Sequence, residues 1–174
     1  SGDEGTFKSS AYGFGFSPRL STAYRYPIAG IGVTPKFVIE AVLVSGSETG
    51  NTDILSFGNG DLALRVKSNK FDFRYWNGSG YTTITDSATV ATRTYYHLIV
   101  VSIATDVYLY VNGVQVATSA TDPAPFSAGL FTVGDTTTDK STWVILLATY
   151  TERVGWNAAY VARRFFEPYE FLIF

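Results

Sequence analysis

The sequence predicts an all-β protein, a sandwich or a barrel, and three observations support this fold class. Short apolar or alternating runs recur every roughly 8–15 residues, the rhythm of strands in such folds. Clusters of Gly, Asn, Asp, Ser and Thr separate the runs. Apolar residues make up 46% of the 174 residues and charged residues only 16%, so much of the chain must be buried. No repeat or linker is visible, which predicts a single domain over residues 1–174.

Several segments have strand character, and one near the C-terminus has helical spacing. The predicted strands are Ala11–Phe16, Lys36–Ser45, Asp53–Phe57, Asp61–Lys67, Lys70–Trp76, Tyr81–Thr85, Tyr95–Ile103, Val107–Val111, Val114–Thr118, Leu130–Val133 and Thr142–Glu152. Between Trp156 and Phe166 the apolar residues recur at helical spacing, which predicts one short helix. Tyr95–Ile103 and Thr142–Glu152 are apolar on both sides, which is typical of central strands covered on both faces.

A hairpin is predicted around Asn112-Gly113, because both residues tolerate the positive φ of a two-residue type I′ turn. Pairing must keep the apolar residues on one face. The expected core pairs are Val111 with Val114, Leu109 with Val116, and Val107 with Thr118. The other face then carries Tyr110 with Gln115 and Tyr108 with Ala117, where packing is the favoured interpretation.

Two further turns extend a second set of strands. A turn at Ser68-Asn69 places Val66 opposite Phe71, Leu64 opposite Phe73 and Leu62 opposite Tyr75 on an apolar face. An odd-numbered loop would instead bury Asp72 without a partner, which costs several kcal/mol. The next turn is Asn77–Gly80; Asn77-Gly78-Ser79 also fits a glycosylation acceptor, but a turn is the better interpretation. The expected pairs on the reverse face are Arg65 with Asp72, Ala63 with Arg74, Asp61 with Trp76, Trp76 with Tyr81, Arg74 with Thr83, and Asp72 with Thr85.

Composition excludes several classes of function. The formal net charge is -2 and no run of Lys or Arg occurs, which argues against a nucleic-acid partner held through its phosphates. No apolar stretch reaches the roughly 18 residues that cross a bilayer, so membrane insertion is not expected. The chain has no Cys, which excludes a disulfide framework and a thiolate metal site.

The sequence resembles a known family in its second half. Tyr95–Val101, a short turn and Val107–Val114 resemble the signature hairpin of laminin-G-like domains, which belong to the concanavalin A-like lectin/glucanase superfamily. The family usually has Trp where Tyr95 stands. Phe131–Gly134 and Ile145–Phe165 resemble its later strands and terminal helix. Residues 162–171 resemble the terminal segment of laminin-G-like domains in phage and prophage structural proteins.

The resemblance implies a two-sheet antiparallel jelly-roll sandwich with an open concave face. Members mostly bind glycans or protein surfaces, and a minority hydrolyse glucans. Calcium is common in the superfamily, held by loop carboxylates at the sheet rim. Asp53, Asp135 and Asp139 are the candidate ligands, but they form no contiguous pattern and turn formation explains them more simply, so calcium is possible and no cofactor is certain.

Catalytic signatures of this superfamily are missing from the sequence. Glucan hydrolysis needs two carboxylates that flank the scissile bond, and no Glu-x-Asp-x-Glu pattern occurs. Glu40 is expected to point outward or to pair with Arg153, Arg163 or Arg164. No nucleophile-elbow motif accompanies His97, which is expected to be a hydrogen-bonded sheet residue near Asn112. We therefore expect no enzymatic activity.

The reverse face of three consecutive strands is the predicted ligand-binding site. Its residues are Trp76, Tyr81, Arg74, Asp72, Asp61, Thr83 and Arg65, with Thr85 beside them. An aromatic ring covers the apolar face of a pyranose while polar side chains bind its hydroxyls, and this face offers both. A solvated sheet face with one aromatic pair and an Arg65–Asp72 ion pair is the alternative interpretation.

Three functions remain open. The first is a non-catalytic module that binds a cell-surface glycan or receptor, as part of a phage or virion attachment protein, in an extracellular or virion-associated setting. The second is a virion or assembly component whose aromatic surface contacts other subunits. The apolar tail Phe165–Phe174 must pack on the sandwich or enter such a contact, so a homo-oligomer is possible. The third is a divergent glycoside hydrolase.

Overall fold

The computed structural model describes residues 6–10, 13–17, 24–33, 35–46, 52–57, 61–103, 105–133 and 144–151. Side chains are described for residues 35–46, 52–57, 61–103 and 105–125 and for Thr132. The described residues form strands and contain no helix. The strands are β1 (Thr6–Ser10), β2 (Gly13–Ser17), β3 (Tyr24–Val33), β4 (Lys36–Val44), β5 (Thr52–Phe57), β6 (Leu62–Lys67), β7 (Lys70–Trp76), β8 (Tyr81–Thr85), β9 (Tyr95–Ile103), β10 (Val107–Val111), β11 (Val114–Ser119), β12 (Phe126–Val133) and β13 (Val144–Thr151).

The strands form two antiparallel sheets, and the all-β prediction is confirmed. Sheet A has the order β1-β2-β13-β4-β9-β10-β11, and sheet B has the order β3-β12-β5-β6-β7-β8. This arrangement is a two-sheet jelly-roll sandwich. No described segment forms a helix long and apolar enough to cross a bilayer. The predicted C-terminal helix and the tail Phe165–Phe174 lie outside the described residues.

Two strands, β1 and β3, were not predicted, and both lie at sheet edges. β3 contains Pro27, Gly30 and Gly32, residues that argue against a central strand. Its position at the edge of sheet B explains why Pro27 is tolerated there, since an edge strand has one side without ladder partners. β1 is a short and largely polar strand at the edge of sheet A. Edge positions weaken the apolar pattern from which strands are predicted.

The core lies between the two sheets and follows the predicted alternation. Leu62 and Leu64 of β6 and Phe71 and Phe73 of β7 are fully buried. Aromatic rings join the sheets: the centroids of Phe71 and Tyr96 are 4.8 Å apart, in an edge-to-face arrangement. The register of β6 and β7 is as predicted, with Val66 opposite Phe71 and Arg65 opposite Asp72. Ser68 and Asn69 have φ of 52° and 61°, as a two-residue turn with both central residues at positive φ requires.

The β10–β11 hairpin departs from its predicted register. Val111 faces Val114 and Tyr110 faces Gln115 as expected, but a β-bulge follows, so the remaining pairs are Leu109 with Ala117, Tyr108 with Thr118 and Val107 with Ser119. The predicted pairs Leu109–Val116, Val107–Thr118 and Tyr108–Ala117 are therefore wrong. A bulge sets two residues against one and redirects their side chains. Here it allows Val116 and Ala117, which are adjacent in sequence, both to pack against the core.

The face of sheet A that points away from the core is also buried. Val38, Ile99, Val101 and Tyr110 form a second apolar cluster there, with Tyr108 packed against it. The prediction that β9 is covered on both faces is confirmed. The packing interpretation agrees with this cluster for Tyr108 and Tyr110, whereas Gln115 is exposed. Burial raises the pKa of the Tyr110 hydroxyl above its ordinary value.

Tyr75 offers a test of the core at alkaline pH. Its hydroxyl donates to the carbonyl of Thr121 at 2.7 Å, and burial raises its pKa above the ordinary 10.0. Because the folded-state pKa is raised, this stabilisation is complete below pH 10.0 and is lost as the pH rises further. We expect Tyr75→Phe to lower the free energy of unfolding by about 0.5–1.5 kcal/mol at neutral pH. The variant should also lose less stability than the wild type above that pH, in urea titrations. Equal alkaline slopes would contradict this.

Candidate functional site

The outward-facing residues of β6, β7 and β8 form one continuous surface, as predicted. Trp76 pairs with Tyr81, Arg74 with Thr83 and Asp72 with Thr85 across β7 and β8. The other neighbour, β6, brings Arg65 opposite Asp72 and Ala63 opposite Arg74. The Trp76 amide donates to the Asp61 carbonyl at 2.8 Å, which extends the same register to Asp61. Alternation explains the grouping, because the residues between these positions point into the core.

Tyr81 is the exposed centre of this surface. Half of its surface is accessible (50%), whereas Trp76 is partly buried. The two rings meet edge to face, with centroids 5.3 Å apart and an interplanar angle of 71°. The Arg74 guanidinium carbon lies 4.7 Å from the centroid of the Tyr81 ring. The Tyr81 hydroxyl donates to Asp61 Oδ1 at 3.1 Å. We call Trp76, Tyr81, Arg74, Asp61 and Thr83 the platform.

Arg65 and Asp72 form an ion pair beside the platform. Arg65 Nε donates to Asp72 Oδ1, and Arg65 Nη2 donates to Asp72 Oδ2 at 3.1 Å. The side chains are only 12% and 3% exposed. The pair satisfies both carboxylate oxygens and leaves Asp72 little surface for a ligand. Of the predicted binding residues, these two therefore support the platform from the sheet rather than forming its accessible surface.

The β7–β8 turn is built around Asn77. Its Oδ1 accepts hydrogen bonds from the amides of Ser79 at 3.0 Å and Gly80 at 2.9 Å. Its Nδ2 donates to Thr82 Oγ1 at 2.9 Å. Gly78 has a φ of 96°, which glycine adopts without strain. The interpretation of this sequence as a turn is confirmed, and the nitrogen that a glycan would have to modify is already engaged.

The loop at 120–125 fixes the same end of β7, which was not predicted from the sequence. The Ala124 amide donates to the Trp76 carbonyl at 2.9 Å, next to the bond from Trp76 to Asp61. Tyr75, the preceding residue, donates to Thr121. Both bonds are long-range contacts to a backbone carbonyl, which has no signature in sequence. They hold the backbone beneath the Trp76–Tyr81 pair.

Glu40 and His97 lie elsewhere, on the outer face of sheet A. His97 Nε2 is 2.7 Å from Glu40 Oε1, within hydrogen-bond distance, and the two residues are 1% and 3% exposed. Glu40 is on the outward face of its strand, as one of the two expectations had it, but it is buried there and its partner is His97. Its other predicted partners, Arg153, Arg163 and Arg164, lie outside the described residues. His97 is a hydrogen-bonded sheet residue, as predicted: its amide donates to Asn112 Oδ1 at 2.9 Å.

The calcium hypothesis finds no support in the described part of the chain. Asp135 and Asp139 lie outside it, and Asp53 on β5 stands opposite Arg65 in the register. Among the described residues there is no group of three or more His, Cys, Asp or Glu side chains that could hold a metal ion. A single carboxylate beside an arginine does not provide the six to eight oxygen ligands that Ca²⁺ takes.

The fold and the platform together define a class: a lectin-like β-sandwich with an exposed aromatic and polar surface on one sheet. Comparison with known families identifies the superfamily. The chain belongs to the concanavalin A-like lectin/glucanases superfamily, since residues 31–150 match its Laminin_G_3 family. No curated protein sequence matches the chain.

Solved structures share the fold at low sequence identity. The binding domain of Paraclostridial Mosquitocidal Protein 1 is 12% identical with a TM-score of 0.75, covering 95% of this chain and 46% of that one. The botulinum neurotoxin serotype G binding domain is 12% identical with a TM-score of 0.73, covering 97% and 46%. Trypanosoma rangeli sialidase is 14% identical with a TM-score of 0.67, covering 90% and 28%. The chain thus spans less than half the length of each.

Proposed function

We propose that this domain is a non-catalytic recognition module that binds a cell-surface glycan or receptor through the platform. The observation that carries the proposal is the half-exposed Tyr81 ring, with the Asp61 carboxylate at its hydroxyl and Arg74 against its face. Such a ring covers the C–H face of a pyranose, and the neighbouring polar groups bind sugar hydroxyls. The similarity in fold to toxin binding domains, one of them described as a receptor binding domain, supports a role in recognition.

The carboxylates of the described residues support a non-catalytic role. In most glycoside hydrolases an acid and a second carboxylate lie on either side of the scissile bond. Asp72 accepts both of its hydrogen bonds from Arg65, and Glu40 is buried against His97 in the other sheet. Asp61 is the carboxylate that contacts Tyr81, and the two-carboxylate mechanism needs a second one across the scissile bond from it.

The setting we propose is the surface of a virion or another extracellular site. The resemblance of residues 162–171 to the terminal segment of laminin-G-like domains in phage structural proteins supports an attachment protein. The competing role, a subunit contact in an assembly, requires Tyr81 to be covered in solution. Sedimentation analysis separates the two: a monomer with an accessible Tyr81 supports attachment, whereas an oligomer that Tyr81→Ala dissociates supports assembly.

A glycan array with the wild type and Tyr81→Ala tests the proposal directly. We expect binding to a defined set of glycans that Tyr81→Ala weakens at least about tenfold, which corresponds to about 1.4 kcal/mol. Tyr81 is preferable to Trp76 for this test because truncation of an exposed ring disturbs the fold less.

Val114→Ala is the matched control for that array. Val114 is 63% exposed and lies on β11 in sheet A, outside the platform. Its truncation also removes an exposed apolar side chain, but we expect binding to stay unchanged. The proposal fails if no glycan binds, or if both variants bind as the wild type does.

A further inference from the structure

Aromatic residues are concentrated at one point of the outer face of sheet B. The side chains described on that face occupy the outward positions of β5 to β8. Trp76 and Tyr81 are the aromatic members, and they form a single cross-strand pair. Trp76 meets the Tyr81 ring edge to face and is partly buried. The ring area open to a ligand is therefore mainly that of Tyr81.

Along β7, away from this pair, the outer face carries charged side chains and no aromatic ring. The next outward positions are Arg74, Asp72 and Lys70, so about 20 Å of strand follows without a ring, at about 3.3 Å per residue. Asp72 is 2% exposed and held by Arg65. A sugar lying there would meet charged groups and no stacking surface. Displacing water from those charges would cost free energy without compensation.

The polar groups suited to sugar hydroxyls also surround the one exposed ring. Asp61 already accepts a hydrogen bond from the Tyr81 hydroxyl and has acceptor capacity for others. Arg74, whose guanidinium carries several N–H donors, lies against the same ring. Thr83 follows two residues after Tyr81 on β8, opposite Arg74, and is exposed. An acceptor and a donor therefore contact the Tyr81 ring, and a hydroxyl lies at the next outward position of β8.

We infer that the platform binds a single terminal sugar unit and does not bind along the interior of a polysaccharide chain. This inference rests on the proposed function: a cell-surface glycan is attached through its reducing end, so the terminal unit that the platform can reach is an uncapped non-reducing end. A surface that binds an extended chain needs several stacking rings in a row, and the described face supplies one exposed ring. The affinity for a glycan should then depend on its terminal unit and not on its length.

The test titrates the protein with two sets of probes and follows intrinsic fluorescence. One set consists of methyl glycosides of the common hexoses and N-acetylhexosamines; the other consists of the matching linear oligomers of two to six units. For the sugar that binds, we expect the Kd to change by less than about threefold from one unit to six. Tyr81→Ala should weaken every length equally. Lys70→Ala, a control further along the same face, should weaken none.

The possible outcomes separate this inference from the proposed function. The single-unit inference is overturned, and glycan binding left intact, if the Kd of the wild type falls by more than about threefold with length while the Kd of Lys70→Ala does not. Binding to oligomers whose non-reducing end is capped also overturns it. Absence of binding to every sugar, at every length, overturns the proposed function as well.

Discussion

Replacing Asp72 with alanine should lower the free energy of unfolding by about 3–5 kcal/mol, because Arg65 would stay in its largely buried position without its carboxylate partner. In the folded protein Arg65 meets Asp72 through two nearly parallel hydrogen bonds, and little of either side chain is exposed. Removal of one member of such a pair costs far more than the pair itself contributes. Urea unfolding at neutral pH measures the effect.

The double variant Arg65→Met with Asp72→Leu is the control for this prediction. It removes both charges together and fills similar volume, so we expect a stability near that of the wild type or above it. A loss of less than about 1 kcal/mol in Asp72→Ala would show that water reaches the arginine freely and that the pair is a surface feature. Glycan binding by the double variant should persist, since neither side chain belongs to the platform.

Glu40→Ala should lower the free energy of unfolding by about 1–3 kcal/mol, because the buried His97 would lose the hydrogen-bond partner of its Nε2. Glu40→Gln keeps the shape of the side chain and can still form a hydrogen bond to the imidazole. We therefore expect it to retain most of the stability. Thermal and urea unfolding of the two variants measure the difference.

Glu40 also decides between a structural and a hydrolytic role for the buried pair. If the pair is structural, Glu40→Gln binds glycans as the wild type does, and the wild type releases no sugar from glucans. Measurable glucan cleavage by the wild type that Glu40→Gln abolishes would instead establish a divergent hydrolase. An equal loss of stability in Glu40→Gln and Glu40→Ala would show that the hydrogen bond to His97 does not account for the stabilisation by Glu40.

Alternation of apolar and polar residues was enough to predict most of the fold. It placed Leu64 and Phe73 in the core and fixed the register of β6, β7 and β8, because a shift by one residue would have turned Asp72 into the core, away from Arg65. It could not predict the bulge in β11, since the pairs Leu109–Val116 and Leu109–Ala117 are both apolar. The pattern alone does not distinguish them.

The residues of the candidate site were predicted, but how far each side chain is buried was not. The alternation of side chains along a strand assigns Arg65, Asp72 and Tyr81 to one face of the sheet. It does not predict which of these side chains are exposed to solvent. Accessibility depends on the length and direction of neighbouring side chains. The Glu40–His97 contact was missed because it joins β4 to β9, and the order of strands within a sheet is not encoded by the spacing of residues.

The platform is drawn from an uninterrupted stretch of chain. Asp61, Arg74, Trp76, Tyr81 and Thr83 all lie within a three-stranded meander that follows its own sequence order in the sheet. Its hairpins close over short loops, so the meander can form by local contacts before distant strands assemble. On the proposed function, exchanging this one segment should alter binding specificity while the remainder of the sandwich is kept as a constant scaffold.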